Sequence, residues 1–259
     1  MNLGLEGRRA IVCASSKGLG RACALALARE GVAVVVNGRD VERVETTAAA
    51  IRRETGARVI AVAADLCSEE GRERLVAACP EPDILVTNNG GPAPGRFEDW
   101  DRAAWLAALE QNLLAPVLLI RAVFGGMRAR RFGRIVNITS AMVKSPHPLM
   151  GLSTAARSAL TAACKGLSRE VARDNVTINN LLPERIDTDR QRFMAGLQAA
   201  GRGITVEQAY EEIAASLPAN RLGTPDELAA ACVYLCSAQA GFVSGQNLQI
   251  DGGSYAGLV

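Results

Sequence analysis

The chain has 259 residues, 49% of them hydrophobic and 22% charged, with 29 basic and 27 acidic side chains giving a formal net charge of +2. A chain of this size and apolar content buries a full core, which excludes low-complexity disorder and a disulfide-stapled miniprotein. The near-neutral balance leaves no electrostatic footprint for nucleic acid or a membrane surface.

Short β-branched runs alternate with long Ala/Leu/Arg stretches from one end to the other. Arg9 to Cys13 reads as a strand and Leu19 to Glu30 as a helix stopped by Gly31. A valine strand at Val32–Val36 follows, then a helix from about Asp40 to Thr55. Further strands are predicted at Arg58–Val62, Asp83–Val86, Arg134–Ile138, Val176–Leu181 and Leu248–Ile250. Between them lie long helices at Asp99–Arg130 and Ser153–Asp174, and a last helix begins near Pro225. Strands that are continuously apolar belong in a sheet covered on both faces, and strand–helix alternation of this length predicts a doubly wound parallel α/β sheet of seven strands. No repeat, linker or charge block divides it, so residues 1–259 read as a single domain. The Arg-, Gln- and Glu-rich excursion at about 184–220 follows a strand's carboxyl end, where a substrate lid is expected.

The seven cysteines include no CxxC pair. They read as small buried hydrophobes in a reducing compartment rather than as disulfides or a metal site. No charged-then-apolar leader opens the chain, and no apolar run approaches the ~20 residues of a membrane span. A soluble, cytoplasmic protein is expected, with no membrane or nucleic-acid partner.

The segment Ala14-Ser15-Ser16-Lys17-Gly18-Leu19-Gly20 joins the first strand to the first helix. Glycines there let the backbone approach a pyrophosphate, and the helix start offers free N–H groups and a positive dipole end. The second strand ends at Asn37-Gly38-Arg39, with no acidic residue to repel a ribose 2′-phosphate. Lys17 and Arg39 put two cations near that spot, which predicts NADP(H) rather than NAD.

With those features in place, the sequence resembles the short-chain dehydrogenase/reductase family. The resemblance rests on the Gly-rich turn, Asp65-Leu66, Leu85-Val86-Thr87-Asn88-Asn89-Gly90, Asn112, and Ile135 to Ser140. It continues through Pro183 to Thr188, Arg221 to Pro225, Ser244-Gly245-Gln246 and Asp251-Gly252-Gly253, covering almost the whole chain. It implies a Rossmann-type fold. Gly18, Leu19 and Gly20 would cradle the pyrophosphate and Asp65 would bind the adenine edge, with Ser15, Lys17 and Leu66 among the other cofactor-binding residues. Asn88 and Gly90 would floor the adenosine side, and Pro183, Ile186 and Thr188 would flank the nicotinamide carboxamide. Ser140 would hydrogen-bond the substrate oxygen, and Asn112 would hold a water in the proton relay. It also implies a homotetramer built on the two long helices and the C-terminal strand.

The family's proton donor is a tyrosine thirteen residues after that serine, with a lysine four further on. Those positions are Ser153 and Arg157, and the three tyrosines, Tyr210, Tyr234 and Tyr255, lie far along the chain. The first glycine of the turn is Ala14, and the glycine after Pro183 is Glu184. Carbonyl reduction needs an acid within reach of the developing alkoxide. A serine hydroxyl is far weaker than a phenol and stops short of the same point. Arg157 keeps a grip on ribose hydroxyls but does not relay a proton. Other proton sources near in sequence are His147, the lone histidine, then Lys144 and Glu184. Glu184 is expected first of all to pair with Arg157 or Arg185.

Two readings follow. One is an NADP(H)-dependent oxidoreductase moving hydride to or from a small carbonyl or alcohol by a non-standard proton relay. Its candidate catalytic residues are Ser140, Asn112, Ser153, Arg157 and His147, with bound water or His147 as the proton source. The other is a catalytically degenerate nucleotide-binding or regulatory protein on the same fold.

Overall fold

In the computed structural model, which describes residues 2–258, the seven strands form one parallel sheet. Met1 and Val259, the ends of the expected domain, lie outside the described residues. The strands are β1 (Arg9–Val12), β2 (Ala33–Gly38), β3 (Val59–Ala63), β4 (Ile84–Thr87), β5 (Gly133–Ile138), β6 (Val176–Pro183) and β7 (Asn247–Ile250). Their order is β3-β2-β1-β4-β5-β6-β7. Ala10 of β1 pairs with Val34 on one side and Ile84 on the other, so β1 is an interior strand. Each boundary falls within two residues of the sequence expectation.

Side chains alternate across the sheet, and here both faces are apolar. Ala10, Val12, Val34 and Val36 face one core with α1 (Gly18–Arg29) and α2 (Val41–Thr55). Ile11, Cys13, Val35 and Leu85 face the other, which includes Leu75 of α3 (Glu69–Ala77). That two-sided burial is the reason the strands read as unbroken Val/Ile runs. Six of the cysteines are buried and Cys67 is half-buried, all as free thiols.

The helix expected at Asp99–Arg130 is different. It starts at Arg102, because the Asp101 carboxylate accepts from the Ala104 N–H and caps it. It then runs as α4 (Arg102–Leu109), a π-turn (Glu110–Leu114) and α5 (Ala115–Ala129). Pro116 has no N–H to give the Asn112 carbonyl four residues earlier, and the ladder widens there, with the Ala115 N–H donating to the Glu110 carbonyl. By length and a mean hydropathy of 1.5, Arg102–Ala129 also corrects the expectation that no segment is long and apolar enough to cross a membrane. Its inner face nevertheless packs Ala115, Leu119, Ile120, Val123 and Met127 onto the sheet, as a core helix does.

After β5 comes α6 (Gly151–Val171), its last expected turn wound as a 3₁₀ segment, Ala172–Asp174. The excursion after β6 is folded. Its helices α7 (Asp189–Arg202) and α8 (Val206–Ala215) pack around Ala195, Ala199, Ala209 and Ile213. A bridge between Ile186 and Gly223 closes its base, and Tyr210 donates to Asp187 at 2.6 Å. The final helix, α9 (Pro225–Cys236), covers the α1 side of the sheet.

Candidate active site

The strand order reverses beside β1, where β4 lies on the opposite side from β2. The carboxyl ends of β1 and β4 therefore diverge, which is where doubly wound sheets bind ligands. A cleft of about 750 Å³ opens there.

At one end lies the Gly-rich turn. Gly18 takes φ +56°, and a Cβ on Gly20 would sit 2.5 Å from the Ala14 carbonyl oxygen and 2.9 Å from Asn88 Nδ2. Both positions need glycine. Ala14 takes φ +43°, left-handed backbone that a methyl group resists. The turn is held by Asn37, whose Oδ1 accepts from the Ala14 N–H at 3.1 Å and whose Nδ2 donates to the carbonyls of Val62 and Ala64. Asn88 adds a bond from Nδ2 to the Ala14 carbonyl at 3.2 Å. The start of α1 has no side-chain cap and no acidic residue, so its first N–H groups stay open.

Lys17, Gly18, Leu19, Arg39, Asp65, Leu66, Asn88 and Gly90 line the cleft. Ser15 does not: its hydroxyl is fully buried, donating to the Val12 carbonyl and accepting from the Asn37 N–H. Ser16, which sequence reasoning passed over, takes its place in the lining. Asn37, placed at the strand tip from sequence, is buried and spent on the turn. Lys17 Nζ lies 3.9 Å from Asp189 at the start of α7.

The opposite end gathers Ser140, Ser153, Arg157, Pro183, Glu184, Ile186 and Thr188. Arg157 is buried on α6. Its Nε donates to Ser153 Oγ at 3.1 Å, Nη1 to the carbonyls of Ile138 and Thr139, and Nη2 to the Asn89 carbonyl at 3.3 Å. Four of its five N–H donors are thus engaged by the protein, where the sequence reading gave them to ribose hydroxyls. Burial, reinforced by the nearby Arg190 charge, pushes the guanidinium down to about 10, still protonated at neutral pH. Thr188 Oγ1 accepts from the Gln191 N–H and caps α7.

Two expectations are corrected here. Glu184 forms no ion pair with Arg157 or Arg185, since neither appears within 4.0 Å of it among the described residues. Burial raises its carboxyl above the ordinary value; Arg185 counteracts this and Asp251 adds to it. His147 is exposed and does not line the cleft: its Nδ1 accepts from the Leu149 N–H at the start of a 3₁₀ turn that opens with Pro148. Lys144 also turns away, donating to Gln249 and lying over the Tyr255 ring.

Asn112 sits in the π-turn, 3% exposed, and neither atom of its side-chain amide has a hydrogen-bond partner among the described residues. It borders a cavity of about 10 Å³ shared with Thr87, Asn89 and Arg157, roughly the space one water needs. The signal for this bulge was in the sequence, in Pro116 at the fourth position after Asn112. Sequence reasoning also missed the apolar wall of Met142, Met150, Phe193 and Met194, and Arg190 beside it. Two of these five come from loops between strand and helix and three from α7, and only the tertiary arrangement brings them together.

The glycine cradle, the open helix start and the Lys17 and Arg39 cations fit a dinucleotide with a phosphorylated ribose. Comparison with known proteins agrees with the geometry. Residues 13–255 match the family described as enoyl-(acyl carrier protein) reductase. Among curated relatives, the dehydrogenase/reductase SDR family member 4 of Bos taurus is 33% identical over 259 residues, covering 98% of this chain and 89% of that one. The chain belongs to the short-chain dehydrogenase/reductase family. A second relative in the family, the NADPH-dependent reductase BacG of Bacillus subtilis, is 31% identical over 255 residues, covering 96% and 98% of the two chains. The crystal structure of L-sorbose reductase from Gluconobacter frateurii, complexed with NADPH and L-sorbose, superposes with a TM-score of 0.95 at 30% identity over the whole of both chains.

Proposed function

We propose that the protein is an NADP(H)-dependent oxidoreductase that moves hydride to or from a small carbonyl or alcohol. The observation that carries this is one continuous cleft holding both an open helix start with two cations and the Ser140–Ser153–Arg157 group. The NADPH-dependent reductase BacG and the NADPH complex of L-sorbose reductase support the same cofactor here. The nicotinamide supplies the hydride when bound, and the chain's residues position the substrate and handle the proton.

Ser140 and Ser153 would hold the substrate oxygen. Arg157 would stabilise negative charge that develops on it without giving up its own proton. The proton would come from a water held by Asn112, since His147 lies outside the cleft. Helices α7 and α8, linked to the phosphate turn through Lys17 and Asp189, act as the lid. The test is NADPH oxidation across ketones, quinones and imines. Turnover of any of them supports the reading. NADPH binding with no hydride transfer anywhere would return the protein to the non-catalytic class, which the reductase relatives do not favour.

The working unit is a cytoplasmic homotetramer in this reading. Leu106 and Leu114 stay exposed on the outer side of α4 and the π-turn, and Tyr234, Phe242 and Leu248 lie around α9 and β7. Apolar surface of this kind is usually covered by another subunit. Monomer mass by light scattering at micromolar concentration would overturn the tetramer.

A further inference from the structure

Four arginines line the cleft, Arg39, Arg157, Arg185 and Arg190, and among the described residues none has a carboxylate within 4.0 Å. Two of them bind one strip of backbone. Arg157 donates through Nη2 to the Asn89 carbonyl, and Arg190, in the first turn of α7, donates through Nη2 to the Pro92 carbonyl at 2.8 Å. They converge on the strip Asn89-Gly90-Gly91-Pro92, Arg157 from α6 and Arg190 from the lid. Among the described residues neither has an acidic group within 4.0 Å, whereas Lys17 has Asp189. Arg157 has one N–H unspent and Arg190 four, counting five donors on each. Burial lowers the pKa of both, and Arg157 is lowered further by Arg190, so the two charges act on each other. Arg157 is a buried cation without a counter-ion, which is costly, and Arg190, exposed beside it with its donors mostly open, presents the guanidinium fork that a planar carboxylate matches.

We propose that the substrate carries a carboxylate, received between Arg157 and Arg190, with its body against Met142, Met150 and Phe193. This rests on the oxidoreductase reading and narrows it to small oxo acids, or the matching hydroxy acids, with an apolar side group. Arg190 then acts as the specificity residue: it sits on the lid and meets the carboxylate only when α7 lies over the cleft. The cofactor pyrophosphate, the other anion in range, belongs at the start of α1 on the far side of the glycine turn.

The experiment is titration calorimetry, first with NADP⁺ alone, then with benzoylformate and its uncharged ethyl ester added to the NADP⁺ complex. Wild type is expected to bind benzoylformate at least tenfold tighter than the ester. Arg190→Gln is expected to lose that preference while melting like wild type, and Arg190→Lys to keep part of it. Equal affinity for acid and ester, no measurable benzoylformate binding, or an Arg190→Gln variant that retains the preference would each overturn the proposal. A variant that loosens NADP⁺ tenfold but leaves benzoylformate unchanged would do so too, by assigning Arg190 to the pyrophosphate. Failure of wild type to bind NADP⁺ would instead overturn the oxidoreductase reading itself.

Discussion

Restoring the family's tyrosine at position 153 is predicted to work only when Arg157 is changed with it. Ser153 is 6% exposed, and its hydroxyl accepts from Arg157 Nε at 3.1 Å. A Cβ placed on Gly91 would lie 3.8 Å from Arg157 Nη2 and 3.9 Å from Ser153 Oγ, so the gap between α6 and the glycine strip is already filled by the guanidinium. A phenol at 153 would have to enter that space. Ser153→Tyr alone is therefore an overpacked variant, costing about 1–3 kcal/mol. For a chain of this size that lowers the melting temperature by roughly 2–12 °C. Arg157→Lys removes the fork and leaves room for the ring, so the double variant should recover at least half of the loss. In activity, the single tyrosine variant should gain nothing, and the double should exceed wild type by about 100-fold in kcat, the low end of what a positioned general acid contributes. The assays are thermal melting and NADPH oxidation over the full double-mutant cycle. Additive effects, with Ser153→Tyr as stable and as active as the double, would refute the claim that the guanidinium occupies the tyrosine's space.

Three further outcomes follow from individual residues. Asn112→Leu should leave stability unchanged or raised, because a buried amide with no protein partner among the described residues gives way to an apolar side chain, while kcat falls about tenfold through loss of the held water; a lowered melting temperature with unchanged kcat would contradict this. Ala14→Gly relieves a left-handed alanine at a cost in unfolded-chain entropy, and a net gain on the order of 0.5 kcal/mol is expected by denaturant titration. A loss of stability there would mean the methyl packs favourably. Glu184 has a folded-state carboxyl raised above its ordinary 4.5, so ionising it disfavours the fold. Its contribution is fully present below 4.5 and declines as pH rises through the raised value. Glu184→Gln should accordingly melt higher than wild type at pH 7, with the difference vanishing near pH 4; the reverse order would refute the burial argument.

The α/β alternation, the strand positions and the phosphate turn were legible in the amino-acid order because they rest on local chemistry. β-branched runs, helix-stopping glycines and capping aspartates act within a few residues of themselves. Even the π-turn had a local cause in Pro116. The candidate site was legible in part: most residues expected along the cleft do line it, on positions carried over from a recognised family. Ser15 could not be told from Ser16, because which serine faces the cleft depends on a turn held by Asn37, more than twenty residues away. His147 looked close to Ser140 in sequence, yet its 3₁₀ turn sends it to the surface.

The partnering of charges lay furthest from view. Nothing in the spacing of Glu184, Arg157 and Arg190 says which will meet, since their distances depend on how the lid packs over β4 and α6. By itself the sequence determined the doubly wound sheet, the place of the dinucleotide cradle and the loss of the family's tyrosine and lysine. Only the tertiary structure decided that Arg157 turns onto three backbone carbonyls, that Glu184 meets neither Arg157 nor Arg185 in an ion pair and that Arg190 comes to the same strip. Burial and long-range packing set those choices, and neither is encoded in any one segment of the chain.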